Sequence, residues 1–201
     1  KLGLVMGLGE GGRVNIEMDL IREAEDLGFD SVWSSEAWGS DAISTASWVL
    51  AQTSKIKVGT GIIQMSARTP AMAAMTAMTL QHLSNDRFIL GIGPSGPQVI
   101  EGWHGMPYGR PLTRTREYIE IIRKIEAREG PLTHDGYHYQ IPKTGEGTTN
   151  LGKPLKGILH SPARLKIITG TIAPAGVRVS AEIADGMIPV FMNPDRFDVF
   201  E

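Results

Sequence analysis

The sequence has no cysteine. That excludes disulfides, thiolate metal ligands and a cysteine nucleophile. It has no apolar run approaching about eighteen residues, so no membrane span is predicted. It has no excess of one charge: Lys plus Arg is 20 and Asp plus Glu is 22. That balance gives no reason to expect nucleic acid or an anionic membrane as partner. The opening "KLGLVMGL" is too short and too broken by glycine for a signal peptide. It reads as a first strand, with a cytoplasmic location as the default.

What is present suits a folded domain. The chain has 201 residues, enough for one domain or most of one. Hydrophobic residues make up 41% and charged residues 21%, which favours a sizeable core over disorder. Six short apolar runs read as strands: Leu2–Leu8, Ser31–Ser35, Ile56–Ile63, Arg87–Ile92, Leu165–Ile172 and Met187–Met192. None alternates cleanly with polar residues, as expected of parallel strands covered on both faces.

Helical patterns lie between most of these runs. In "NIEMDLIREAEDLG", Leu20, Ile21, Ala24 and Leu27 form an apolar stripe, with Asn15 as N-cap and Gly28 as the stop. "DAISTASWVLAQTS" and "TPAMAAMTAMTLQHLS" follow, the latter with Pro70 in its first turn. Met72, Met75 and Met78 in it read mostly as core. "LTRTREYIEIIRKIEARE" places Tyr118, Ile119, Ile122 and Ile125 on one face, and "PAGVRVSAEIADG" is the last helix. The order is β-α-β-α-β-α-β, an insert over about 97–164, then β-α-β. An open doubly wound sheet and a (β/α)8 barrel both fit. Within the insert, Asp135-Gly136 suggests a surface hairpin flanked by His134 and His138; their spacing is a poor metal motif outside a helix.

Glycines gather at strand ends. Gly7, Gly9 and Gly12 form a G-x-G-x-x-G pattern, with Glu36 placed where a ribose-binding acid would sit. A Rossmann NAD(P) dehydrogenase is therefore one reading. Against it, Arg13, Val14 and Asn15 delay the helix that should meet the pyrophosphate. The "GTG" and "GIG" turns show that glycine follows other strands too, as pocket-lining backbone would.

The stretches "LGFDSVWSSEAWGSDAIS", "IKVGTGIIQMSARTPAMAAMTAMTLQHLS", "RFILGIGPSGPQVIEGWHG" and "AEIADGMIPVF" together resemble the luciferase-like monooxygenase superfamily. They are most similar to its coenzyme F420-dependent oxidoreductases. The resemblance implies a TIM barrel, here with about six of eight βα units, and so further C-terminal sequence to complete it. A genuinely short barrel also has a precedent in a non-fluorescent flavoprotein of the superfamily.

The resemblance also implies a site at the strand ends. Gly61–Ile62 matches a non-proline cis peptide that bulges against the deazaflavin ring, with Gln64 just beyond it. Glu36 matches an acid beside the cofactor, and Trp38 covers the ring or substrate. Ala37 stands where some relatives carry a catalytic histidine, and Gly96 where they carry a glutamate, so their acid/base chemistry is not carried over. Ser95, Gly96 and Gln98 line the turn after strand four. Thr171, Ala173 and Gly176 supply backbone N–H groups to the cofactor's phosphate, aided by the helix dipole. Glu36 or His104 moves a proton. The implied cofactor is F420, with hydride transfer at its C5 to or from a small organic substrate. FMN and a monooxygenase reaction form the alternative, and a non-catalytic flavin binder a third. The superfamily's helix packing implies a homodimer through helices that include the methionine-rich one.

Overall fold

Six parallel strands form one curled sheet in the computed structural model, which describes residues 1–7, 12–189, 193 and 195. They are β1 (Gly3–Val5), β2 (Ser31–Ser34), β3 (Lys57–Thr60), β5 (Phe88–Gly93), β8 (Ile167–Gly170) and β9 (Gly186–Ile188), adjacent in that order. A two-residue strand, β4 (Ile63–Gln64), pairs with β5 just beyond β3. Each crossover steps one strand further in the same direction. Right-handed crossovers then place the helices on one side and leave the other side concave. A doubly wound sheet needs a point where strand order reverses. This sheet has none, so the Rossmann reading of Gly7, Gly12 and Glu36 is overturned. Gly9 lies outside the described residues, as do Leu8 and residues 190–192 at the ends of two expected strands.

The helices are α1 (Met18–Asp26), α2 (Ala42–Gln52), α3 (Pro70–Ser84), α4 (Pro97–Gly102), α5 (Pro111–Ala127) and α6 (Pro174–Ile183). Local chemistry sets their ends. Asp41 caps α2 by accepting the Ser44 N–H at 2.7 Å. Thr69 caps α3 ahead of Pro70, and Asn85 ends it in the left-handed region. Helix α1 corrects the expected cap: Glu17, not Asn15, precedes it, without a side-chain bond. Its covered stripe is also narrower. Ile21 and Ala24 are buried, whereas Leu20 and Leu27 are exposed. Gly28, at φ 82°, follows it as expected.

Val32, Val58, Leu90 and Ile167 from the sheet meet Ala46, Ala73, Ala77, Tyr118 and Ile122 from the helices, all buried. Each large aliphatic side chain so buried contributes about 1.5–3 kcal/mol. At the N-terminal end of the sheet, polar clasps replace packing. Glu25 accepts the N–H groups of Ser54, Lys55 and Ile56, and the Arg87 guanidinium donates to the carbonyls of Leu50, Thr53 and Ile56. Of the three methionines expected to be mostly core, Met78 is buried, whereas Met72 and Met75 are exposed. Among the described residues no helix is long and apolar enough to cross a membrane.

The expected strand Ile56–Ile63 is broken in two. After Thr60 the backbone leaves the ladder, and the Gly61–Ile62 peptide is cis. The Thr60 hydroxyl takes over the lost pairing: Oγ1 donates to the Gly91 carbonyl at 2.8 Å and accepts the Gly91 N–H at 2.9 Å. The Thr60 carbonyl then occupies the place of a Gly91 side chain, 1.7 Å from where Cβ would lie. The insert opens with α4, six residues that carry no helical period in the sequence. It also holds the expected hairpin, β6 (His134–Asp135) against β7 (Gln140–Ile141). His134 is not on the surface: it is buried beside Glu117, while His138 bonds to the Arg110 carbonyl.

Candidate active site

At the C-terminal edge of the sheet, β2, β3, β5 and β8 run into segments 35–41, 61–69, 94–104 and 171–173, the second holding β4 and the third α4. In barrels this is the edge that carries chemistry. The loop after β2 turns Glu36 inward. Its side chain is only 8% exposed. Oε1 accepts the Arg68 guanidinium at 2.7 Å and the Gln64 N–H at 3.1 Å; Oε2 accepts the Ala42 N–H at 3.2 Å. That last contact places the carboxylate at the positive end of α2. Arg68 also pairs with Asp41. Burial alone would push the Arg68 guanidinium down, yet Glu36 and Asp41 together hold it above its ordinary value. Asp41 is pushed up by burial but held below the usual range by the Ser44 N–H and by Arg68. Tyr118 supports this loop from below, its hydroxyl donating to the carbonyls of Arg68 and Thr69.

Gln64 is fully buried and joins three loops. Its amide Nε2 donates to the Ala37 carbonyl at 2.7 Å, and its Oε1 lies 2.6 Å from His104 Nε2. Glu36, Gln64 and His104, three of the residues singled out in the sequence, therefore form one bonded cluster. Above it lies an open cleft of about 300 Å³ whose lining includes Glu36, Trp38, Arg68, Trp103 and His104. Trp38 is 67% exposed on its rim. Sequence reasoning missed Arg68 and Asp41. Their only signal was charge in βα loops, which solvated residues share.

The glycines do something other than expected. Gly59 lacks a side chain because Trp33 lies there: a Cβ would fall 2.1 Å from the indole. A Cβ on Gly93 or Gly170 would fall 2.6 and 2.9 Å from Ile62. These positions admit the chain's own Trp33 and Ile62 onto the concave face, so the reading of backbone bared to a ligand is corrected at Gly59, Gly91 and Gly93, whereas a Cβ on Gly61 would meet its nearest described neighbour, Ile188, at 3.7 Å. Ile62, between β5 and β8, and Trp33 make an apolar wall there.

The remaining predicted residues lie apart from the Glu36 cluster, with no hydrogen bond to it. Ser95 has φ 58°, and its carbonyl accepts the Tyr108 hydroxyl. Gly96 precedes α4 without a side-chain cap, and Gln98 Oε1 folds back to 3.0 Å from its Cβ position. The Thr171 N–H is not available as a donor, because it bonds the Ile188 carbonyl at 3.3 Å. Its hydroxyl instead fills the space at Gly176, 2.0 Å from a would-be Cβ. Ala173 is the residue before α6, which has no side-chain cap, and Gly176 lies in its first turn; their N–H groups have no partner among the described residues.

The profile of the family described as "luciferase-like monooxygenase" matches residues 5–198. A Mycobacterium tuberculosis protein that carries the provisional name coenzyme F420-dependent oxidoreductase is 50% identical over 195 residues, 96% of this chain and 56% of its own. The 5,10-methylenetetrahydromethanopterin reductase of Archaeoglobus fulgidus is 28% identical over 180 residues, 89% of this chain and 50% of its own. The solved coenzyme F420-dependent tetrahydromethanopterin reductase of Methanopyrus kandleri superposes with a TM-score of 0.77 at 24% identity, covering 98% of this chain and 58% of that one. The chain thus spans about half the length of the curated relatives it matches.

Proposed function

The chain belongs to the luciferase-like monooxygenase family, and we propose that it acts as an F420-dependent oxidoreductase on a small organic substrate. The observation that carries this reading is the placement of the Glu36–Gln64–His104 cluster. It lies at the C-terminal strand ends beside the Ile62 wall, in a chain half identical to a protein named for F420. The residues present suit that group. Unpaired N–H groups at the start of a ten-residue helix favour a phosphate. Trp33 and Ile62 offer an apolar surface to a flat ring.

When bound, F420 supplies a deazaflavin that gives or takes a hydride at C5. This chain's residues do the rest. Ala173 and Gly176 would hold the phosphate by their N–H groups. Ile62 and the Gly61–Ile62 peptide would back the ring, and Ser95, Gly96 and Gln98 would help to hold it. Trp38 and Trp103 close the cleft over the substrate and limit water. Glu36 accepts three donors already, so it positions Arg68 and Gln64 and does not carry a proton. His104 is the group placed to accept or return one. The protein works as a homodimer through α2 and α3, whose Trp48, Met72 and Met75 are 59%, 53% and 58% exposed.

Titration with F420 and separately with FMN, followed by tryptophan fluorescence, tests the assignment. F420 is expected to bind more tightly and to quench emission from Trp38. Binding of FMN without F420 would overturn the F420 reading in favour of a monooxygenase. F420 binding without turnover over a panel of alcohols, aldehydes and imines would leave a binding protein only.

A further inference from the structure

His104 has two ring nitrogens, and a proton acceptor must keep one of them bare. The neighbouring hydrogen bonds decide which. The Ala37 carbonyl oxygen can only accept, so the Gln64 atom 2.7 Å from it is the amide nitrogen, donating. Turning the amide over would set two oxygens against each other at that distance. Gln64 Oε1 therefore faces His104, and an amide oxygen can only accept. The His104 nitrogen 2.6 Å away must carry the proton. Nε2 is the protonated nitrogen, and in the neutral ring Nδ1 is the lone-pair nitrogen.

Two further observations support a directed arrangement. Gln64 is fully buried and its own N–H is bound to Glu36, so its amide has little freedom to turn. The His104 backbone is held by its N–H bond to the Val99 carbonyl at the end of α4. Nδ1 makes no hydrogen bond among the described residues. Among the described residues, the unpartnered buried side-chain atoms are Gln81 Oε1 and His134 Nε2, and Nδ1 is not one of them. Nδ1 is open to solvent, on a residue that lines the cleft.

We propose that Gln64 is a positioning residue: anchored on the Ala37 carbonyl, it locks His104 with its proton on Nε2 and presents Nδ1 to the cleft as an acceptor. This rests on the reading of His104 as the proton-handling group, and it narrows what the cleft takes. A ligand meeting Nδ1 must bring a hydrogen-bond donor, an O–H or N–H, to the neutral enzyme. A ligand offering only a carbonyl oxygen finds no donor there until the ring is protonated.

The test is proton–nitrogen NMR of the full chain labelled at histidine, without cofactor, above the titration range of the ring. The expected spectrum shows His104 protonated at Nε2, with an N–H signal slow to exchange with solvent. In Gln64→Met, checked for a native circular dichroism spectrum, that proton should exchange at least about tenfold faster, the effect of losing roughly one hydrogen bond. A proton on Nδ1 in the unaltered protein overturns the proposal, whether or not the variant folds. So does unchanged exchange in a folded Gln64→Met. No F420 enters this measurement. A failed F420 titration would sink the proposed function and leave the tautomer lock standing, whereas a proton on Nδ1 would do the reverse.

Discussion

Arg68→Met removes the one cationic partner, among the described residues, of a carboxylate whose side chain is 8% exposed. Truncating one side of a buried ion pair costs about 3–5 kcal/mol, mostly because the other charge is left unpaired. Glu36 is not left bare, since the Gln64 and Ala42 N–H groups still reach its two oxygens. Methionine also keeps most of the apolar stem. The expected loss is therefore nearer ~2–3 kcal/mol. Asp41 loses a contact too, but it is partly solvated and continues to cap α2. Urea unfolding followed by circular dichroism reads the difference. The discriminating variant is the double mutant Glu36→Gln/Arg68→Met, in which no charge is stranded. It should recover at least about 1 kcal/mol relative to Arg68→Met alone. A loss below about 0.5 kcal/mol for Arg68→Met would place the pair among surface contacts that contribute little. A double mutant no more stable than the single one would refute the stranded-charge argument.

Gly59→Val should force Trp33 off the concave face, because its Cβ would lie 2.1 Å from the indole; a loss of about 1–3 kcal/mol and a changed near-ultraviolet tryptophan spectrum are expected. Acid should loosen two specific places. Burial pushes the Glu117 carboxyl up, but the N–H groups of His138, Tyr139 and Tyr137 outweigh it and hold it low; Glu25 is held low in the same way by Ile56, Lys55 and Ser54. A lowered folded value means a contribution complete above the unfolded value of about 4.3 and lost as pH falls through the folded one. Amide exchange at residues 137–139 should therefore speed up below about pH 4, and Glu117→Gln should flatten that dependence. Light scattering at micromolar protein should give twice the chain mass, and Met75→Glu should shift it to the monomer; a monomer in the unaltered protein would end the dimer reading.

Strands and most helices could be placed from the sequence because burial on both faces and the 3.6-residue period leave local marks. Pro70 and Gly28 mark ends by their backbone chemistry wherever they occur. The two-residue β4 and six-residue α4 left no such mark, being too short for any period to register. The motifs around Glu36, Gln64 and His104 stood out through family resemblance, and the tertiary structure gathered all three into one cluster. What each does there depended on partners distant in the chain. Glu36 became a held carboxylate only because α2, β4 and Arg68 converge on it. The glycines are the plainest case. Their absence of a side chain is written in the sequence, but whether the vacated space goes to a ligand or to Trp33 and Ile62 depends on which strands become neighbours. That is a contact between residues far apart in sequence, and no local pattern encodes it.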